Sequence, residues 1–159
     1  MAIALRYAAR SDVGLVRSNN QDSGYAGPSL LVIADGMGGH AGGDVASSLA
    51  IGEMAPLDSE SHGADAVLGH LSDAIHSAHR ELMDRVTEEP ALSGMGTTVT
   101  ALLKTGGRLA LAHIGDSRAY LLRDGQLARS PGTTPSCSDW STTAGSRRRR
   151  PSSTRSGRC

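Results

Sequence analysis

The stretch "LLVIADGMGGHAGGDVASSLA", residues 30–50, constrains this chain more than any other. An apolar run rich in Leu, Val and Ile reads as a fully buried strand, "SLLVIAD", that stops at Asp35. Gly36, Gly38 and Gly39 follow at once, before a helix-like pattern. A carboxylate at the end of a buried strand is costly unless it is paired or bound to a cation. Three explanations compete. Gly36-Met37-Gly38-Gly39-His40-Ala41 fits a dinucleotide-binding G-x-G-x-x-A. Asp35, however, would set like charge beside a pyrophosphate on the helix start, and no strand-borne acid follows about 20 residues on. A tight strand-to-helix connection explains the glycines through close backbone approach or positive φ, but leaves Asp35 unexplained. In the third, Asp35 binds a divalent cation, Gly36 turns its carbonyl to the same ion, and other carboxylates and waters complete a hard oxygen shell. Further acids sit at turns, Asp22 in "RSNNQD" and Asp116 in "HIGDSRAY". Taken singly, each is equally an ordinary turn aspartate bonding its own backbone.

Around this stretch the elements fall in an α+β order. "IALRYAARSDVG" alternates loosely as a first strand, and "SDVGLVRSNNQDSGYAG" is turn-rich. Asp44 is placed to cap a helix with apolar Val45, Leu49, Ile51 and Met54, ending around Pro56. From Ala64 to Val86, apolar residues Val67, Leu68, Leu71, Ile75, Ala78, Leu82 and Val86 recur at helical spacing. The period then drops to two, giving a meander of three antiparallel strands with turns at Lys104 to Arg108, Gly115-Asp116 and Asp124-Gly125. Two consecutive helices between runs of strands argue for helices packed on antiparallel sheet rather than alternating parallel units. With 159 residues the chain holds one domain's worth of core. No apolar run is long enough to span a membrane and the N-terminus lacks signal-peptide order, so the expected location is cytoplasmic. Cys137 and Cys159 support neither a disulfide framework nor a cysteine metal cage.

Four segments in register, "VGLVRSNNQDSG", "LLVIADGMGGHAGGDVAS", "GMGTTVTALL" and "LAHIGDSRAYLLRDGQL", closely resemble the metal-dependent protein serine/threonine phosphatases, the protein phosphatase 2C or PPM-type family, in its bacterial form. The resemblance runs from about residue 6 to 129. It implies a PPM-type α/β/β/α sandwich of antiparallel sheets flanked by helices, here incomplete, with two or more Mg2+ or Mn2+ ions at one end. It also implies site roles. Asp35 falls on the acid that bridges both metals and Gly36 on the glycine that gives its carbonyl. Arg17 falls on the arginine that binds the substrate phosphate, Asp22 on an acid beside a metal-bound water, and Asp116 on an acid linked to an additional metal site. A planar arginine suits a two-pronged grip on phosphate. Implied partners are phosphorylated proteins, a Ser/Thr kinase and its targets; no nucleic acid and no membrane segment are expected. Met37 stands where many eukaryotic members carry histidine, and Gln21 where some relatives have an acid. His40 and His113 read as structural.

After Arg129 the pattern breaks. Residues 1–129 hold 10 basic and 15 acidic side chains, residues 130–159 hold 6 and 1, and 13 of these last 30 residues are Ser or Thr. That composition is disorder-like, so the expected organisation is the N-terminal part of a phosphatase domain over 1–129 and a disordered tail over 130–159. Reading GC-rich codons for the tail one base out of frame gives T-R-D-H-T-F-V-Q-R-L-V-D-D-G, which continues the family pattern. The expectation is a C-terminally truncated, frameshifted chain of low or no activity, lacking two later aspartates that complete the family's site. A non-catalytic phosphatase-like binding or regulatory fragment is the alternative.

Overall fold

A computed structural model describes residues 4–39, 42–59, 63 and 65–129, and the backbone of 136–141. Strands β1 (Asp22–Ala26) and β2 (Leu30–Met37) form a hairpin, followed by helix α1 (Gly42–Met54) and a 3-10 turn at Ala55–Asp58. Helix α2 (Val67–Glu88) leads to β3 (Gly96–Thr97), β4 (Val99–Thr105), β5 (Arg108–Ile114), β6 (Tyr120–Arg123), β7 (Gln126–Arg129) and β8 (Ser136–Ser141). The main sheet runs β1-β2-β4-β5-β8, all antiparallel, with β3 on the far end of β2. β6 and β7 pair separately. The α+β class is therefore present, with two antiparallel sheets and two α-helices among the described residues.

Both helices cover one face of the main sheet. Leu30, Val32, Val99, Ala101, Leu103, Ala110 and Ala112 point to that side and pack with Ala50, Met54, Val67, Leu71, Ile75 and Ala78. α2 follows its sequence pattern, burying Val67, Leu71, Ile75, Ala78 and Leu82. In α1 the expected stripe is corrected. Gly43, Ala46, Ser47, Ala50 and Met54 are buried, whereas Val45, Leu49 and Ile51 are partly exposed. Small residues bring this helix close to β2, so its buried face carries little hydrophobic contrast. Asp44 lies in the first turn rather than at the cap, where a negative charge still favours the helix N-terminus.

Four other expectations change. "IALRYAARSDVG" forms no strand over its described residues, because it meets no ladder partner; β1 arises instead within the turn-rich stretch. The run "SLLVIAD" is not buried on both faces. Leu30, Val32 and Ala34 are buried while Ile33 is 63% exposed, since helices cover one side only. The expected meander breaks at Gly115-Asp116, which opens a loop, and a further strand appears. Asp124 and Gly125, both with positive φ, do close the β6–β7 hairpin. Finally, Ser136–Ser141 pairs with β5, so this part of the expected tail is a strand. The rest of 130–159 lies outside the described residues, as does His40.

Candidate metal and phosphate site

Register creates the site. Asp22 of β1 lies directly opposite Asp35 of β2, so two carboxylates face each other across the hairpin. Like charges in that arrangement repel. Partial desolvation, then the Asp35 charge and the hydrogen bond between the two groups hold the Asp22 carboxyl above the usual carboxylate range. Asn20 Oδ1 accepts the Asp22 N–H at 3.0 Å and fixes the entry into β1.

β2 ends inside a packed corner. The Gly36 N–H donates to the Gln21 carbonyl at 3.2 Å. A Cβ on Gly36 would lie 2.0 Å from the Gly43 carbonyl oxygen and 2.7 Å from that of Gln21. Only glycine permits this approach of strand to helix. Ser47 of α1 donates its hydroxyl to the same Gln21 carbonyl at 2.7 Å, tying helix, strand and loop together. On the other flank, Thr97 and Thr98 hold the Asp35 backbone. The Thr98 N–H donates to the Asp35 carbonyl at 2.9 Å, and the Asp35 N–H donates to Thr98 Oγ1 at 3.1 Å.

All five residues singled out in the sequence border one cavity of about 370 Å³: Arg17, Asp22, Asp35, Gly36 and Asp116. Arg17 reaches it from the loop before β1, after a turn in which Asp12 Oδ1 accepts the Gly14 N–H at 2.8 Å. Asp116 reaches it from the β5–β6 loop. Asn20, Gln21, Met37 and Thr98 also line the space. Of these, neither Asn20 nor Thr98 is given a site role by the sequence alone; the signal for Thr98 is the doubled Thr of "GMGTTVT" at the head of β4. His113 is buried, its Nδ1 2.9 Å from Thr100 Oγ1, in the structural role expected. Among the described residues no group of three or more His, Cys, Asp or Glu side chains is placed to hold a metal ion. The Asp22–Asp35 pair with hard oxygen donors nearby fits part of a cation shell, not a full cage.

The protein phosphatase 2C family profile matches residues 16–143. The chain belongs to this family. Within protein phosphatase 2C, it is 56% identical over 129 residues to the serine/threonine protein phosphatase PstP of Mycobacterium tuberculosis, covering 81% of this chain and 25% of that protein. It is 33% identical over 123 residues to the serine/threonine phosphatase stp of Listeria monocytogenes, covering 72% of this chain and 49% of that one. The crystal structure of the M. tuberculosis phosphatase matches with a TM-score of 0.79 at 54% identity, over 82% of this chain and 55% of that chain. A PstP catalytic domain solved in complex with two manganese ions matches with a TM-score of 0.78 at 55% identity, over 82% of this chain and 56% of that chain. The chain thus spans a quarter to a half of the curated relatives it matches, and its protein phosphatase 2C fold is established by these likenesses.

Proposed function

We propose that this chain carries the phosphate-gripping and inner metal-binding part of a protein serine/threonine phosphatase site, acting on phosphoserine and phosphothreonine with Mg2+ or Mn2+. The observation that carries the reading is the convergence of Arg17, Asp22, Asp35, Gly36 and Asp116 on one cavity from three separate segments. Asp22 and Asp35 would hold the cation between them, which relieves their mutual repulsion, with Gly36 beside them and Asp116 serving a further ion. When bound, the ions supply the charge that acidifies a water and draws electron density from the phosphoryl group. Arg17, on the border of the same cavity, would grip phosphoryl oxygens with its planar guanidinium. Without a cation the Asp22 carboxyl is held above the usual carboxylate range by desolvation and the Asp35 charge; a cation between the two acids would remove that repulsion and favour both carboxylates.

Because the described residues form no complete three-ligand cluster, turnover by this chain is low, and a phosphatase-like binding fragment is the second reading. Phosphorylated proteins are the proposed partner class, with a Ser/Thr kinase and its targets among them, in the cytoplasm. The test is phosphate release from a phosphothreonine peptide by the purified chain with Mn2+, beside direct Mn2+ titration. The phosphatase reading expects slow, EDTA-sensitive release that Asp35→Asn and Arg17→Ala abolish. Mn2+ binding without turnover supports the fragment reading, and failure to bind Mn2+ overturns both.

A further inference from the structure

Thr98 stands between the two acids that the cavity draws from distant parts of the chain, and it touches the backbone or neighbours of each without touching either carboxylate. It is 5% exposed, at the junction of β3 and β4. Its N–H and hydroxyl bracket the Asp35 peptide at 2.9 and 3.1 Å. The same hydroxyl lies 2.8 Å from Ser117 Oγ, one residue beyond Asp116. Its methyl fills the place of a side chain on Gly115: a Cβ built there, at φ +100°, would come within 2.6 Å of Thr98 Cγ2. A single side chain therefore spans from the end of β2 to both neighbours of Asp116.

We propose that Thr98 is a positioning residue that sets the separation of Asp35 and Asp116, and hence the cation affinity of the cavity. The inference rests on the metal reading above. Asp35 leaves a strand held on both sides, but Asp116 is exposed on a loop without regular structure. A hydroxyl shared between the Asp35 peptide and Ser117 converts that loop from an independent arm into an extension of the sheet. Groups that orient metal ligands from behind change metal affinity by about 10- to 100-fold when removed.

The experiment compares the full chain with Thr98→Val, which keeps shape and loses the hydroxyl, and Thr98→Ser, which keeps the hydroxyl. Helicity and unfolding midpoint are recorded for each, and Mn2+ affinity is read from the electron paramagnetic resonance of free Mn2+. Thr98→Val is expected to bind Mn2+ at least about tenfold more weakly, while Thr98→Ser retains the parent affinity. Equal Mn2+ affinity in folded Thr98→Val overturns the inference, as does a loss in Thr98→Ser as large as that in Thr98→Val. If the parent chain binds no Mn2+, the metal reading falls instead, and amide spectra without metal decide the role of Thr98. Faster hydrogen exchange at Asp35 and a shifted Ser117 amide in Thr98→Val, restored in Thr98→Ser, support the tether; unchanged amides refute it.

Discussion

Gly36 has no room for a side chain, because the atoms in the way belong to the backbone of Gly43 and Gln21 and cannot rotate aside. Gly36→Ala is expected to lower stability by about 1–3 kcal/mol or more through overpacking, measured as a urea unfolding midpoint. Asp22 gives a pH signature. Its raised carboxyl pKa means that the native state keeps a proton the unfolded chain has released. The contribution of Asp22 to the stability of the metal-free protein should thus be fully present below the ordinary carboxylate pKa and be lost as pH rises through the raised value. Unfolding curves in EDTA from acid to neutral pH check this, and Asp22→Asn should flatten the fall. At this scale motif order marked Arg17, Asp22, Asp35, Gly36 and Asp116, which the fold brings to the border of one cavity. It was silent about Asp58 and gave no role to Thr98. The hydrogen bonds of Asp58 reach across 28 to 33 positions and those tying Thr98 to Asp35 and Ser117 across 63 and 19, so a local motif does not name their partners.

Asp58, in the 3-10 turn after α1, governs an element. Its Oδ1 accepts the N–H groups of Ser29 and Leu30 at 2.7 and 2.8 Å, and its Oδ2 accepts the Tyr25 hydroxyl at 3.1 Å. Gly27 lies against the same carboxylate, where a Cβ would come within 2.3 Å of Oδ2. The β1–β2 turn is thereby locked, and with it the register that opposes Asp22 to Asp35. Slippage by one residue would send Asp22 to the helix-covered face. Asp58→Ala should cost about 1–3 kcal/mol through the unpaired N–H groups and weaken Mn2+ binding at the opposite end of the hairpin, as titration would show. On α2, Leu71→Ala is expected to cost about 2–5 kcal/mol, since Leu71 is fully buried, whereas exposed His79→Ala should stay within about 0.5 kcal/mol. The legibility of elements followed their chemistry. α2 could be read because its large apolar residues recur on one face, while the buried face of α1 is written in Gly, Ala and Ser. Loose alternation in residues 3–14 carried no information about whether a partner strand exists.

Across the whole molecule, the helices protect one side of the main sheet, and the other side floors a groove of about 810 Å³ that includes Leu31, Ile33, Leu102, Leu109 and Leu111. Leu122 and Leu127 of the small sheet are 68% and 66% exposed. Apolar surface of this kind promotes association. Sedimentation velocity should show concentration-dependent self-association that Ile33→Lys reduces, with α-helical content unchanged. The register adds a link between this floor and the acids. Gly24 opposes Ile33 and Ala26 opposes Leu31 on the same side of the hairpin as Asp22 and Asp35. The carboxylates are therefore the polar shore of an apolar plain. Any surface that settles on Ile33 displaces water beside them, which strengthens the attraction between the ionised acids and a cation while making the acids harder to ionise when no cation is there.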